Sequence, residues 1–65
     1  MRLAIFFNEG DMLRRVNGIY PEAIVLGHNV LGGSNFYFII WLDGINHGQF
    51  DYQPAEVIET FYAKL

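Results

Sequence analysis

The 65-residue sequence contains no cysteine, which excludes disulfide bonds and the thiolate ligands of most structural zinc sites. A domain of this size buries only about 60% of the surface that its unfolded chain exposes. Its stability therefore has to come from close packing or from association, because no covalent cross-link is available. Hydrophobic residues make up 52% of the chain and aromatic residues 17%. This large apolar fraction favours association with a second chain.

Basic residues are also scarce, since Arg2, Arg14, Arg15 and Lys64 face seven acidic residues and the net charge is -3. Nucleic-acid binding depends on lysines and arginines that neutralise phosphates. We therefore expect no direct contact with DNA or RNA. The carboxylates are scattered along the chain, and this spacing argues against a mimic of the DNA backbone.

Long apolar runs are missing as well, because no stretch approaches the roughly 20 residues of a membrane-spanning helix. The first residues show no secretory signal pattern. We expect a cytoplasmic protein that makes no membrane contact.

Side chains suited to catalysis are few. Ser34 follows two glycines in a sequence typical of a turn, and His28 and His47 match no metal-binding spacing. Gly32 and Gly33 lack the lysine and the following helix of a phosphate-binding loop. The sequence predicts no enzyme, no metal site and no cofactor.

The sequence does contain FYFIIWL at positions 36–42, bounded by Gly-Gly-Ser-Asn and Asp-Gly. Its length, its aromatic content and the flanking turn signals predict a β-strand. Alternation gives the strand two apolar faces, one with Phe36, Phe38, Ile40 and Leu42 and the other with Tyr37, Ile39 and Trp41. A strand that is apolar on both faces belongs in a sheet that is covered on both sides.

Another strand is predicted from Ala23 to Leu26 with an extension to Val30, and a bulge is expected where Gly27 interrupts it. The glycine-rich loop at 31–35 then returns the chain into FYFIIWL. The two segments therefore form an antiparallel hairpin.

Two further strands are predicted. The apolar run from Arg2 to Phe7 is expected beside FYFIIWL. The segment from Gln49 to Tyr52 follows an Asp43-Gly44 turn signal and alternates aromatic with polar residues. It is predicted as a short strand at the edge of the sheet.

The segment from Asn8 to Gly18 has two interpretations. As a helix, Asn8 would be its N-cap and its apolar residues would share one face. As a hairpin, residues 8–11 form a turn with Gly10 at positive φ, and Met12 to Val16 form a strand. Arg14 and Arg15 suit an edge strand, where charges discourage further pairing. The hairpin is favoured, and it would leave one face of the sheet open.

The segment from Pro54 to Leu65 predicts a helix. Pro54 suits the first helical position, Glu56 and Glu59 lie near the N-terminal end, and Lys64 lies in the last turn. An apolar stripe consists of Val57, Ile58, Phe61, Tyr62 and Leu65. This helix is expected to cover one face of the sheet, and the sequence leaves open which one.

Together these elements predict one α+β domain over residues 1–65. It consists of a small twisted antiparallel sheet of three to five strands with a C-terminal helix packed on one face. The other face is expected to contact another protein, most simply the same face of a second copy in a homodimer.

The resulting functional hypothesis is a small non-catalytic protein–protein interaction module. By analogy with chains of this size, it would be an inhibitor or adaptor that occupies a surface of a host protein, and a bacteriophage or mobile-element origin would suit. The alternative is a small-molecule or nucleotide-binding module with a pocket at a dimer junction.

Candidate binding residues follow from residue type. Tyr37 and Trp41 share one strand face, and these residue types are favoured at interfaces. If the helix covers that face, the two side chains belong instead to an ordinary core. The full set of candidates is Tyr20, Asn29, Tyr37, Trp41 and His47.

Overall fold

The computed structural model describes residues 6–18 and 21–65. These ranges contain β1 (Met12–Arg15), β2 (Glu22–Leu31), β3 (Ser34–Trp41), β4 (Phe50–Pro54), α1 (Ala55–Phe61) and β5 (Tyr62–Lys64). The strands form one sheet in the order β4-β3-β2-β1-β5, and every neighbouring pair is antiparallel. The predicted α+β architecture is confirmed.

The strands β2 and β3 form the predicted hairpin, and FYFIIWL supplies most of β3. Gly32 and Gly33 connect the strands with φ of 58° and 82°, and a two-residue hairpin turn of this type requires positive φ at both positions. The pairing register shifts between Val25 and Gly27. Leu26 is therefore the extra residue of a β-bulge, as the interruption at Gly27 predicted.

The segment before β2 is a turn followed by a strand, so the helical interpretation of residues 8–18 is wrong. Gly10 has the expected positive φ of 93°. The predicted edge position of this strand is also wrong, because β1 pairs with β2 on one side and with β5 on the other. Charge does not prevent this, since Arg14 donates a 2.7 Å hydrogen bond to Glu22 on the neighbouring strand.

The helix α1 ends at Phe61, four residues before the predicted end. Tyr62 is extended, with φ of -126° and ψ of 151°, and it opens β5. Backbone bonds then run from the Val16 amide to the Phe61 carbonyl and from the Leu65 amide to the Met12 carbonyl, each at 2.9 Å. The extended chain satisfies the outer edge of β1, which another helical turn would have left unpaired.

The two edges of the sheet determine the path of α1. Because β4 and β5 lie at opposite edges, the helix between them crosses one sheet face. The core lies between that face and the helix, and its residues are Phe7, Leu13, Ala23, Val25, Tyr37, Ile39, Trp41, Ala55, Ile58 and Tyr62. Of the predicted apolar stripe, Ile58 and Tyr62 are buried, whereas Val57, Phe61 and Leu65 are exposed. A seven-residue helix makes only about two turns, so few of its side chains can reach the sheet.

The remaining strand predictions have different outcomes. The edge strand predicted at Gln49 to Tyr52 is confirmed as β4. The strand predicted from Arg2 to Phe7 lies mostly outside the described residues, and Phe6 and Phe7 form a bend. The two sides of β3, where this strand was expected, pair with β2 and β4.

Candidate functional site

The two faces of the sheet differ in how far they are covered. On the face beneath α1, Tyr37 is 0% and Trp41 is 8% exposed. The opposite face, here called the open face, carries the polar residues Arg14, Glu22 and Asn29 and, besides these, Met12, Ile24, Gly27, Phe36, Phe38, Ile40, Phe50 and Tyr52. Each of these residues keeps part of its surface accessible. Within the described chain, the open face is therefore the uncovered side of the sheet.

Strand pairing arranges the open face in straight rows. One row crosses four strands and contains Phe50, Ile40, Ile24 and Met12, each directly opposite the next. The adjacent row contains Tyr52, Phe38 and Gly27. Directly paired side chains on one sheet face lie close enough to touch. The open face is thus a continuous apolar surface.

Three aromatic rings contact one another on this surface; they are here called the aromatic ridge, which consists of Phe38, Phe50 and Tyr52. The Phe38 and Tyr52 rings are stacked with centroids 4.7 Å apart, and the Phe38 and Phe50 centroids are 5.8 Å apart. Asn29 donates a 3.1 Å hydrogen bond to the Tyr52 hydroxyl. Phe50 is nevertheless 65% exposed and Tyr52 43% exposed. The ridge is therefore fixed in position and accessible.

Among residues 6–18 and 21–65, charge on the open face is limited to one ion pair between β1 and β2, at the position where β2 begins. Arg14 and Glu22 face each other across these strands, and Arg14 Nε lies 2.7 Å from Glu22 Oε2. The pair is partly exposed, so it contributes little to folding free energy. Its two charges cancel, which leaves the face without net charge.

The structure places Tyr37 and Trp41 in the core, which is the alternative that the sequence left open. The Tyr37 hydroxyl donates a 2.6 Å hydrogen bond to Glu59 and accepts one of 3.3 Å from the Phe7 amide. Burial, together with the bond to Glu59, raises the pKa of Tyr37 to about 12. Trp41 donates to Asp51 at 3.3 Å. These contacts fix the two side chains as parts of the folded core.

The other candidate residues do not lie beside Tyr37 and Trp41 in the described part of the chain. Asn29 is exposed and lies on the open face, where it pairs with Phe36, and His47 is exposed in the loop between β3 and β4. Tyr20 lies outside the described residues. The five candidates therefore do not line a common pocket in the described part of the chain.

Neither of two surface clefts changes this result. One, of about 270 Å³, is lined by Pro21, Trp41, Asp43, Gly44, Ile45 and Asn46. The other, of about 950 Å³, is lined by Val30, Gly33, Ser34, Asn35, Phe36, Pro54, Ala55, Glu56 and Val57. Of the five candidates, Trp41 alone lines either cleft. Residues 6–18 and 21–65 also contain no group of three or more side chains suited to hold a metal ion.

Sequence reasoning did not include Phe50 and Tyr52 among the candidate binding residues, although a signal for their exposed position was present. The two aromatics alternate with Asp51 and Gln53 in a segment predicted to lie at the sheet edge. In the structure they pair with Ile40 and Phe38. Aromatic side chains on an edge strand next to an apolar strand predict an extended surface across both strands.

No helix among the described residues has the length and apolar character needed to cross a membrane. No family model, curated protein or solved structure matches this chain. The candidate site is therefore defined by the geometry of the open face.

Proposed function

We propose that this chain is a non-catalytic protein–protein interaction module that contacts its partner through the open face. The aromatic ridge, exposed beside a four-residue apolar row, is the observation that supports the proposal. Monomeric proteins rarely leave a contiguous apolar patch larger than a few hundred Å² in water. Such a module acts by occupying a surface of its partner, as an inhibitor or an adaptor does.

The composition of the open face fits a protein partner. Interface centres are enriched in aromatic residues and methionine and are depleted of charge. Here the rings and Met12 are uncharged, and the one ion pair of the described part of the face, Arg14 with Glu22, lies where β2 begins. Stacking also holds Phe38 and Tyr52 in place before binding. Side chains that are already ordered lose less conformational entropy on association.

A nucleic-acid partner is disfavoured by the same surface. Exposed rings on a sheet can stack with bases, but this binding also needs cationic side chains along the backbone of the nucleic acid. Arg14 is the one basic residue of the described chain on the open face, and it is already paired with Glu22 at 2.7 Å. The net charge of -3 opposes phosphate binding further.

The proposal can be tested by removing the aromatic ridge without disturbing the core. A variant with Phe50→Ser and Tyr52→Ser changes two exposed side chains, and Ile45→Ser is the control because Ile45 is 98% exposed in the loop outside the open face. Each tagged protein is incubated with cell extract at physiological salt. Bound proteins are identified, and the solution mass of each purified protein is measured.

We expect the wild type to associate with another protein or with itself. The Ile45→Ser variant should associate in the same way as the wild type. The variant with Phe50→Ser and Tyr52→Ser should bind neither another protein nor a second copy. Circular dichroism should show that both variants remain folded. A wild type that stays alone under all conditions would contradict the proposal. Equal binding by the double variant would also contradict it.

A further inference from the structure

The open face changes height where β3 and β2 meet in one row. Phe38 of the aromatic ridge lies directly opposite Gly27 on β2, and Gly27 presents no side chain. Apart from its chain neighbours Leu26 and His28, a β carbon added at Gly27 would meet no atom within 4 Å. The face is therefore lower at Gly27 than at the ridge, and this position is here called the depression.

A ridge beside a depression is complementary to itself. Consider a two-fold axis that runs parallel to the strands, lies midway between the two open faces, and passes above the gap between β2 and β3. Rotation about this axis places β2 of one copy opposite β3 of the other. Because Phe38 and Gly27 lie in the same row, the axis places each Phe38 ring over the depression at the partner's Gly27. The aromatic ridge of each copy then fills the depression at Gly27 of the other copy.

The second row satisfies the same symmetry. It runs from Phe50 through Ile40 and Ile24 to Met12, so its two ends lie at equal distances on either side of the axis. The rotation places Phe50 over the partner's Met12 and Ile40 over the partner's Ile24. Every contact in this row is apolar on both sides, which leaves no buried polar group unpaired.

Charge does not oppose this arrangement. The open face carries one cation and one anion, which are already joined within each copy. Because Arg14 lies on β1, the axis puts the Arg14 side chains of the two copies on opposite sides of the interface. No like charges face each other, and the net negative charge of the chain is carried by other surfaces.

The available area suits a stable dimer. The domain measures 31 × 21 × 17 Å, and its longest dimension matches β2, whose ten residues span roughly 33 Å. The two longest dimensions of the domain limit the sheet face to at most about 650 Å² per copy, or about 1,300 Å² for two. Specific protein interfaces bury about 1,200–2,000 Å² in total.

We propose that the partner of the open face is a second copy of this chain, packed face to face about a two-fold axis with each aromatic ridge over the partner's Gly27. The inference rests on the proposed function, because both assign the contact to the open face. Sheets packed in this way keep their strands within about 30° of each other and lie about 10 Å apart.

The first test fills the depression. Gly27→Phe adds a ring at an accessible position where a β carbon would meet no atom within 4 Å outside the two chain neighbours, so the chain should fold while the partner's ridge is blocked. Val57→Phe adds the same ring at an exposed position on α1 and is the matched control. The mass of each protein is measured by sedimentation equilibrium over a range of concentrations.

We expect the wild type and Val57→Phe to approach twice the chain mass of 7.5 kDa. Gly27→Phe should dimerise roughly 10- to 100-fold more weakly, which corresponds to the usual cost of overpacking. An unchanged dimer in Gly27→Phe would overturn the proposed packing. A wild type that remains at 7.5 kDa would overturn the dimer.

The second test does not depend on how Gly27→Phe folds. Since the chain has no cysteine, Met12→Cys and Phe50→Cys each introduce a single thiol at an exposed position. The two sites are three strands apart, about 14 Å within one copy, but they face each other across the proposed interface at about 10 Å. A disulfide cannot span that gap, whereas a short bismaleimide can.

We expect the mixture of the two single-cysteine proteins to form a cross-linked heterodimer, and each protein alone to form little product. Efficient cross-linking of Met12→Cys to itself would show a different axis and overturn the packing. The wild type could instead be monomeric and bind another protein, with that binding abolished by the double substitution Phe50→Ser and Tyr52→Ser. This result would overturn only the self-association. The proposed function would then stand with a different partner.

Discussion

The hydroxyl of Tyr37 on β3 lies 2.6 Å from the carboxylate of Glu59 on α1 and donates a hydrogen bond to it. The same hydroxyl accepts a bond from the Phe7 amide at 3.3 Å. One buried side chain thus connects β3 to the helix and to the chain before β1. A buried tyrosine needs a partner for its polar end, and here the partners come from two other segments of the domain.

Replacing Tyr37 with phenylalanine should destabilise the domain by about 1–3 kcal/mol, because the buried Phe7 amide loses its acceptor. The free energy of unfolding in urea at pH 7 measures this loss. Tyr52→Phe is the control, since it removes an exposed hydroxyl that accepts from Asn29. We expect this control to change stability by less than about 0.5 kcal/mol. Equal losses in the two variants would show that the buried hydroxyl has no special role.

Alkaline pH should weaken the fold through the same tyrosine. Burial and the bond to Glu59 raise the pKa of Tyr37 from 10.0 to about 12. Above pH 10 the unfolded chain releases this proton while the folded domain retains it, so stability falls as the pH rises from about 10 to 12. The expected loss is roughly 3 kcal/mol.

Urea titrations across this pH range measure the effect, with Tyr37→Phe as the comparison. Burial also raises the pKa of Tyr62, so the variant should keep a smaller decline in the same direction. Identical pH dependence in the wild type and in Tyr37→Phe would contradict the assignment to Tyr37.

The two central residues of α1 should respond very differently to truncation. Ile58 is 1% exposed and packs in the core, whereas its neighbour Val57 is 41% exposed. Ile58→Ala should cost about 2–5 kcal/mol through lost burial and the cavity left behind. Val57→Ala should stay within about 0.5 kcal/mol of the wild type. Thermal unfolding of both variants would measure the difference, and similar losses would mean that the helix packs through another face.

The sequence predicted local structure well where neighbouring residues determine it. Alternation in FYFIIWL correctly separated Tyr37, Ile39 and Trp41 from the residues of the open face. The glycines at 32 and 33 indicated the hairpin that follows β2, and Gly27 indicated its bulge. Each of these features depends on the period of a strand or on the φ angle of a turn.

Features that depend on distant pairing could not be predicted in the same way. The sequence from Tyr62 to Leu65 continues an apolar helical stripe, but these residues leave the helix to pair with β1, some fifty positions earlier. Arg14 and Arg15 suggested an edge strand, yet this pairing makes β1 an inner strand. The pairing of β5 with the edge of β1 explains both the early end of the helix and the inner position of β1. The local sequence pattern of neither segment indicates this pairing.

The sequence could not show which face the helix covers, for a related reason. Both faces of β3 are apolar, so residue type alone could not show which face the helix would cover. The helix covers Tyr37 and Trp41 because its two ends join opposite edges of the sheet. Phe50 and Tyr52 consequently extend the face that stays open, whereas Tyr37 and Trp41 form part of the core.

The turn between β2 and β3 should distinguish its two glycines. Gly32 has φ of 58° and Gly33 has φ of 82°, and a β carbon at either position would meet no atom within 4 Å. Any cost of substitution is therefore a backbone cost. Asparagine tolerates the left-handed conformation and precedes glycine in the favoured turn of this type. We expect Gly32→Asn to leave the free energy of unfolding within about 0.5 kcal/mol of the wild type, whereas Gly33→Val should cost about 1–2 kcal/mol. Urea denaturation measures both, and a stable Gly33→Val variant would mean that the turn can adopt another geometry.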